Sequence, residues 1–245
     1  MKGKVYLVGA GPGDTDLITV RGLNLLRAAD TVVYDALIDT EILNECGNAE
    51  LIDAGKRGGD HKMGQSEIND TLVRLAKEGR TVVRLKGGDP FLFGRGAEEA
   101  AELRKAGVEV HVVPGVSSSI SVPELAGVPL THRDHTSMVT IATGHERSDR
   151  NGDRMDWKKL ASMDGTIVIL MGMSNSEHIS KELIEGGMDP ITPAAVIVRE
   201  GDRQRAETTD LGTLPELISE KRMRAPGVIV IGNVVRERSV LGDLY

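Results

Sequence analysis

Apolar positions along the chain alternate between short continuous runs and stretches with helical spacing. Residues 5–8 are apolar and end in a glycine turn at residues 9–14, after which apolar residues recur three or four positions apart from residue 16 to residue 29. A short apolar run before a tight turn is typical of a buried parallel strand, and the spacing that follows predicts a helix. The same alternation predicts further strands at residues 31–34, 50–53, 81–85 and 108–113, and further helices at residues 41–46, 67–77 and 96–105. Strands that alternate with helices indicate an α/β fold with a mainly parallel sheet.

The pattern changes at residues 114–119, where small residues open a short predicted helix. A second set of strands is predicted at residues 138–142, 166–171, 194–198 and 228–231, with helices at residues 176–185 and 214–221 and a surface loop at residues 146–154. We therefore predict two α/β domains, residues 1–114 and 115–245, with mainly parallel or mixed sheets. A cleft between two such domains is a common place for a small-molecule site.

Composition narrows the classes of partner. The net charge of −7 disfavours a broad nucleic-acid surface, and one Trp, three Tyr and two Phe leave few rings for base stacking. The single cysteine, Cys46, excludes an internal disulfide. Because the first apolar run is too short for a signal peptide and no run reaches about 18 apolar residues, we expect a cytoplasmic protein without a membrane partner.

The first glycine turn, GAGPGD at residues 9–14, permits two interpretations. Glycines after a first strand and an acid after the second, here Asp35, suggest dinucleotide binding. However, Pro12 lacks an amide donor, and Asp14 places a carboxylate where phosphates would lie. The alternative is a structural turn in which Asp14 or Thr15 caps the following helix.

The second glycine cluster, KGGDPFLFGRG at residues 86–96, follows the predicted strand at residues 81–85. Gly87 and Gly88 allow close approach of the backbone to a ligand, and Asp89 supplies negative charge instead of the Lys and Ser or Thr of a phosphate-binding loop. S-adenosylmethionine carries an ammonium and a sulfonium but no phosphate, so it suits both turns better than NAD does. The alternative is that Asp89 only caps a turn before Pro90.

Several motifs together closely resemble the uroporphyrinogen-III C-methyltransferases of the tetrapyrrole methylase family. They are GAGPGD at residues 9–14, VYD at 33–35, GKR at 55–57, RLKGGDPFLFGRG at 84–96, PG at 114–115 and PLTHRD at 129–134. The resemblance covers nearly the whole chain. It implies two α/β domains with S-adenosylmethionine between them and a homodimer as the assembly.

The resemblance also implies the residues that bind the methyl donor. By position these are Pro12, Gly87, Gly88, Asp89, Leu92, Ser117, Ser118, Met171 and Gly201. The family usually has Thr-Ala where this chain has Ser117-Ser118, a change that backbone contacts would survive. The segment after Gly201 is shorter than in the family, which makes this the least secure position.

Two residues are implied as the proton-transfer groups, Asp35 as acceptor and Lys56 as donor. A pyrrole carbon attacks the sulfonium methyl, charge develops on the macrocycle, and protons must be redistributed, so such groups are needed. Without the resemblance, Asp35 would be interpreted as a turn residue and Lys56 as a solvated surface charge.

The implied substrate is a flexible polycarboxylate, which an acidic protein must bind through local cations. Besides Lys56, the expected residues are Arg57, Arg95, His132 and Arg133, with His145 as a further candidate. The spacing of His132 and His135 also permits metal binding, but the pattern offers no convincing further ligand and the resemblance implies no metal. We therefore expect no metal site.

The reaction implied is methylation of carbons 2 and 7 of uroporphyrinogen III, through precorrin-1 to precorrin-2, with S-adenosylhomocysteine as the second product. This chemistry belongs to sirohaem- and cobalamin-type tetrapyrrole biosynthesis. The alternatives are a methyltransferase for a later precorrin, a protein or an RNA, a dinucleotide-dependent oxidoreductase, and a tetrapyrrole carrier without catalysis.

Overall fold

The computed structural model describes residues 3–55, 63–145, 155–200 and 203–245. The chain divides into two compact units, Met1–Ser118 and Ser119–Tyr245. The boundary predicted at residue 114 lies in the turn just before this division.

The first unit is built on a five-stranded sheet with the order β3-β2-β4-β1-β5, and all its paired strands are parallel. The strands are β1 (Lys4–Gly9), β2 (Thr31–Tyr34), β3 (Glu50–Asp53), β4 (Thr81–Lys86) and β5 (Glu109–Val113). The helices are α1 (Val20–Arg27), α2 (Gln65–Lys77) and α3 (Gly96–Lys105), with short 3₁₀ helices at Thr15–Leu17 and Thr40–Cys46. The predicted parallel sheet is therefore confirmed.

Two predicted helices differ from the structure, and local hydrogen bonds explain why. The helix expected from residue 16 is divided, because the hydroxyl of Thr19 accepts from the amide of Gly22 at 3.1 Å and starts α1 at Val20. The alternative interpretation, in which Asp14 or Thr15 caps the following helix, does not hold for α1, which Thr19 caps. The segment at residues 41–46 is a 3₁₀ helix, and Asp39 caps its start through the amide of Glu41.

The core of the first unit lies on both faces of its sheet. Leu7 and Val82 pack on one face with Leu72 of α2, and Val8 and Leu85 pack on the other. Burial on both sides explains why the central strands are almost continuously apolar in sequence. Cys46 is a free thiol in this core, and burial raises its pKa.

The second unit has a mixed sheet with the order β6-β7-β10-β8-β9. Its strands are β6 (Val139–Thr143), β7 (Thr166–Leu170), β8 (Pro193–Glu200), β9 (Arg203–Asp210) and β10 (Gly227–Ile231). Only β6 and β7 pair in parallel, and the other neighbours are antiparallel. The helices are α4 (Ser118–Leu125), which spans the division between the units, α5 (Trp157–Ala161), α6 (Ser176–Glu185), α7 (Leu214–Glu220) and α8 (Arg238–Leu241).

One strand of this sheet, β9, has no counterpart among the predicted strands. Its sequence, RQRAETTD, is almost entirely polar, and it lies at the sheet edge, paired with β8 over eight residue pairs from Pro193–Asp210 to Glu200–Arg203. Backbone pairing to a buried neighbour creates this strand without an apolar face of its own. The α/β fold with parallel or mixed sheets is otherwise as predicted. Within the described residues, no helix has the length and hydrophobicity required to cross a lipid bilayer.

Candidate active site

Three glycine-containing turns meet at one edge of the first sheet. Because β1, β4 and β5 are parallel, the turns that follow them emerge side by side. The amide of Gly88 donates to the carbonyl of Gly11 at 2.7 Å, and the amide of Gly11 donates back at 3.3 Å. A Cβ at Gly115 would lie 2.2 Å from the carbonyl oxygen of Gly88, so no larger residue fits there without displacing backbone. The turns therefore form a closely packed backbone surface at the edge where parallel α/β sheets bind ligands.

The same contacts argue against a pyrophosphate at the first turn. The amides of Ala10 and Gly11 already donate to the carbonyls of Lys86 and Gly88, and Pro12 has no amide hydrogen. A short 3₁₀ helix follows the turn and α1 begins only at Val20, whereas in dinucleotide-binding folds the glycine turn leads directly into an α-helix. This geometry does not fit the oxidoreductase alternative.

Asp89 organises the second and third turns. One carboxylate oxygen accepts from the amides of Phe91 and Leu92 at 2.8 and 3.2 Å, and the other accepts from the amide of Gly115 at 3.1 Å. The interpretation of Asp89 as a turn-capping residue is confirmed, and Asp89 also joins the β4 and β5 turns. Its contact with a cofactor stays a prediction.

Most predicted cofactor-binding residues of the first unit lie at this edge. A Cβ at Gly88 would be 3.7 Å from the amide nitrogen of Ser118 and 3.9 Å from the Cα of Ser117, which shows that the β4 and β5 turns face each other. Pro12 lies between Gly11 and Gly13 in the first turn, and Leu92 is partly buried in the second. Leu37, beside Gly87, is exposed and adds apolar surface to this edge.

Asp35 follows β2 and is held by two cations from the neighbouring strand β4. One oxygen of Asp35 forms a short contact with the guanidinium of Arg84, and the other lies 3.6 Å from the Nζ of Lys86. Arg84 and Lys86 are almost completely buried, whereas the side chain of Asp35 is 31% exposed. The carboxylate is therefore fixed on its inner side and open on its outer side.

A buried glutamate on α3 completes this charge network. Oε1 of Glu99 accepts from Lys86 at 3.0 Å, from Arg84 at 3.3 Å and from Gln65 at 3.1 Å. Two carboxylates thus balance two buried cations, as burial of charge requires. We name Asp35, Arg84, Lys86 and Glu99 the charge network.

Sequence reasoning assigned no role to Arg84, Lys86 or Glu99. The sequence feature that could have identified Arg84 and Lys86 is the presence of two cations in an apolar strand at the centre of the sheet, where charged side chains are rare. Glu99 had no such feature, because an acidic residue in the first turn of a helix is ordinarily solvated.

Three other residues of the first unit were predicted for the site, and one of them, Arg95, is among the described residues. Lys56 and Arg57 lie outside the described residues. Gly55, just before them, packs against the turn after β2, since a Cβ there would lie 2.2 Å from the amide nitrogen of Ala36. Arg95 is exposed and pairs with Glu98 at 2.8 Å, so binding a substrate carboxylate would require it to exchange this partner.

In the second unit, Met171 directly follows β7. Its φ of 56° lies in the left-handed region, which is costly for a residue with a side chain, and its side chain is exposed. The loops after β6 and β7 meet here, because a Cβ at Gly144 would be 2.3 Å from the Cα of Gly172. Gly201 lies outside the described residues.

His132 and Arg133 lie near the amino ends of β6 and β7, at the opposite end of these strands from Met171. They precede β6, whereas Met171 follows β7, and these two strands run in parallel. A strand of five residues separates the two edges by roughly 16 Å. Within the second unit, the structure therefore does not bring His132 and Arg133 together with Met171, and their role in substrate binding stays a prediction.

Comparison with known proteins identifies the family to which this chain belongs. The profile of the family described as Tetrapyrrole (Corrin/Porphyrin) Methylases matches residues 4–217. The chain belongs to this family, the tetrapyrrole methylases.

Individual relatives resemble the chain over nearly its whole length. It is 48% identical to an S-adenosyl-L-methionine-dependent uroporphyrinogen III methyltransferase from Methanosarcina barkeri, over 98% of this chain and 95% of that protein. It is 50% identical to a uroporphyrinogen-III C-methyltransferase from Methanocaldococcus jannaschii, over 96% of this chain and 98% of that protein. Among solved structures, a uroporphyrin-III C-methyltransferase from Thermus thermophilus in complex with S-adenosylhomocysteine has 36% identity and a TM-score of 0.81, covering 95% of this chain and 93% of that one.

Proposed function

We propose that this chain methylates carbons 2 and 7 of uroporphyrinogen III, through precorrin-1, and releases precorrin-2 and S-adenosylhomocysteine. The observation that carries the proposal is a carboxylate, Asp35, fixed by Arg84 and Lys86 at the same sheet edge as the three glycine turns. Two relatives of 48% and 50% identity carry the names of this activity over almost their full lengths.

The residues of the glycine turns fit a methyl donor of this kind. Gly88 has a φ of 63°, which favours glycine, and exposed apolar side chains such as Leu37 and Phe91 lie beside the turns. Pro12, Gly87, Gly88, Asp89, Leu92, Ser117 and Ser118 would hold the donor from the first unit, and Met171 and Gly201 from the second. S-adenosylmethionine supplies the electrophilic sulfonium methyl, and the protein supplies its orientation.

We assign proton transfer to this chain's own carboxylate and amine. Attack by a pyrrole carbon leaves a proton to be removed from the macrocycle, and the open side of the Asp35 carboxylate is suited to accept it. Arg84 and Lys86 restrict rotation of that carboxylate, so that it is oriented before substrate binds. Lys56 would donate a proton, and Arg57, Arg95, His132 and Arg133 would bind substrate carboxylates.

We further propose that the protein acts as a homodimer in the cytoplasm, as the family resemblance implies. Analytical ultracentrifugation of the purified chain would test the assembly. A single species with the mass of one chain of 26.3 kDa at micromolar concentration would contradict it.

The activity is tested by anaerobic incubation of the purified chain with S-adenosylmethionine and uroporphyrinogen III. We expect mass spectrometry to show successive addition of two methyl groups, with two equivalents of S-adenosylhomocysteine formed. Binding of the tetrapyrrole by the protein without formation of product would favour the carrier alternative. Product only from a later precorrin, a protein or an RNA would favour the other methyltransferases.

Calorimetry separates the cofactor classes independently of substrate. We expect S-adenosylhomocysteine to bind and NAD to give no heat of binding, because the amides of the first turn are engaged by backbone carbonyls. Micromolar binding of NAD together with no response to S-adenosylhomocysteine would contradict the proposed function.

A further inference from the structure

Two histidines and a glutamate come together near the amino end of β6. His132, His135 and Glu237 each offer one nitrogen or oxygen atom, and these three atoms lie within 4.8 Å of one another. Nε2 of His135 is 2.7 Å from Oε1 of Glu237, and the ring centroids of His132 and His135 are 4.9 Å apart.

The tertiary fold builds this cluster from two distant segments. His132 and His135 belong to a tight turn in which the amides of His135 and Thr136 both donate to the carbonyl of His132 at 3.0 Å. Glu237 ends the 3₁₀ helix Asn233–Glu237, which follows β10. Because β10 runs antiparallel to β7, its carboxyl end lies at the amino end of β7, next to the turn that precedes β6. The third residue, missing from the sequence pattern around His132 and His135, is thus supplied 102 positions after His135.

We propose that His132, His135 and Glu237 form a binding site for a divalent transition-metal cation of the zinc type. Two imidazoles and one carboxylate are a ligand set that zinc accepts with a fourth position open to water. Bond lengths of about 2.0–2.2 Å to zinc place tetrahedral ligand atoms roughly 3.3–3.6 Å apart, so small side-chain rotations would bring the three ligand atoms around an ion. The expectation of no metal, drawn from the sequence, is replaced by this proposal.

Burial and charge at the cluster favour a cation. The side chains of His132, His135 and Glu237 are 36%, 23% and 25% exposed, which leaves them ordered by their surroundings yet accessible to an ion. The carboxylate of Asp134 lies 4.0 Å from Nδ1 of His132 and adds a second negative charge. The carboxylates of Glu237 and Asp134 together carry the negative charge that balances a divalent ion.

The ion has a structural consequence in the second unit. It would join the turn at residues 132–136 to the segment that follows β10, and it would do so at the sheet edge opposite Met171. The zinc site shares His132 with the proposed substrate-binding residues, whereas His135 and Glu237 have no proposed part in methyl transfer, so variants of these two residues test the metal site separately. Because a cation that binds only the folded chain stabilises it by mass action, zinc should raise the melting temperature.

The test uses zinc ions added to the full chain after removal of bound metal with a chelator. We expect calorimetry to show one zinc per chain for the unmodified protein. The variants His135→Gln and Glu237→Gln should each weaken binding by at least the roughly 10–100-fold that loss of an outer partner costs a zinc site. The matched control is His111→Gln, because Nε2 of His111 contacts Oε1 of Glu109 at 2.6 Å without a third such ligand among the described residues.

Two further readouts make the result decisive. Cobalt(II) should give visible d–d absorption bands with the unmodified protein and His111→Gln but not with the two site variants, and zinc should raise the melting temperature of the first pair only. Circular dichroism shows whether each variant is folded. If His135→Gln does not fold, Glu237→Gln alone provides the test. Absence of stoichiometric zinc binding, or equal binding by the site variants, would overturn the proposal whether or not the chain methylates uroporphyrinogen III.

Discussion

Lys86 and Glu99 form an ion pair that is almost entirely removed from solvent. Nζ of Lys86 is 3.0 Å from Oε1 of Glu99, and their side chains are 4% and 0% exposed. The same glutamate oxygen also accepts from Arg84, and both cations contact Asp35. The orientation of the proposed proton acceptor therefore depends on a residue of α3 that does not itself contact Asp35 through any described hydrogen bond or ion pair.

Replacing Glu99 by glutamine should destabilise the protein strongly. Glu99→Gln leaves two buried cations facing one carboxylate, and loss of one member of a buried ionic group costs about 3–5 kcal/mol. Urea unfolding measures the effect. The control is Glu98→Gln, in which the exposed pair with Arg95 is lost, at a cost of about 0–1 kcal/mol. Equal stability of the two variants would show that the network contributes little as a set of charges.

Replacing Asp35 by asparagine should reduce turnover far more than affinity for the methyl donor. Asparagine keeps the size of the side chain but cannot accept a proton, and a general base contributes roughly 10²–10⁴-fold to rate. Steady-state kinetics and calorimetry with S-adenosylhomocysteine measure the two effects. Asp39→Asn is the control, because its side chain caps a 3₁₀ helix through the amide of Glu41, which asparagine also does. Near-normal turnover of Asp35→Asn would return Asp35 to the role of a turn residue.

Adding one methyl group at Gly115 should separate the β4 and β5 turns. The new Cβ would meet the carbonyl oxygen of Gly88 at 2.2 Å, which is backbone and cannot rotate away. We expect Gly115→Ala to cost about 1–3 kcal/mol of stability and to weaken binding of S-adenosylhomocysteine. In the control, Gly64→Ala, the Cβ meets nothing within 4 Å, so affinity should change little, and stability should fall by only about 0.5 kcal/mol because Gly64 is the N-cap of α2. Unchanged affinity in Gly115→Ala would argue against these turns as the donor site.

Met171 allows backbone strain to be separated from ligand contact. Its φ of 56° is matched by a φ of 53° at Arg222, and glycine relieves a left-handed conformation at either position by roughly 1–2 kcal/mol. Thermal unfolding should therefore show no loss of stability in Met171→Gly or in Arg222→Gly. Only Met171→Gly should weaken S-adenosylhomocysteine binding. If both variants bind equally well, the Met171 side chain has no part in holding the donor.

The amino-acid sequence by itself determined the succession of elements, because hydrophobic periodicity records which face of each segment is buried. The helices Gly96–Lys105 and Ser176–Glu185 have the bounds that this periodicity predicted, and every strand of the first sheet was predicted near its observed position. The glycine turns were also predictable from the sequence, because turns with φ above zero and close backbone contacts favour glycine. The spacing of apolar residues could not predict β9, because this strand has no apolar pattern and forms by backbone pairing with β8.

Only the tertiary structure decided which polar residues meet. Burial of Glu99 follows from packing α3 beside β4, and an isolated helical sequence does not distinguish that acidic position from its solvated neighbour Glu98. The approach of Glu237 to His135 likewise depends on the antiparallel addition of β10 to β7. Periodicity is a property of neighbours along the chain, whereas these contacts depend on sheet order and direction, which join residues far apart in sequence.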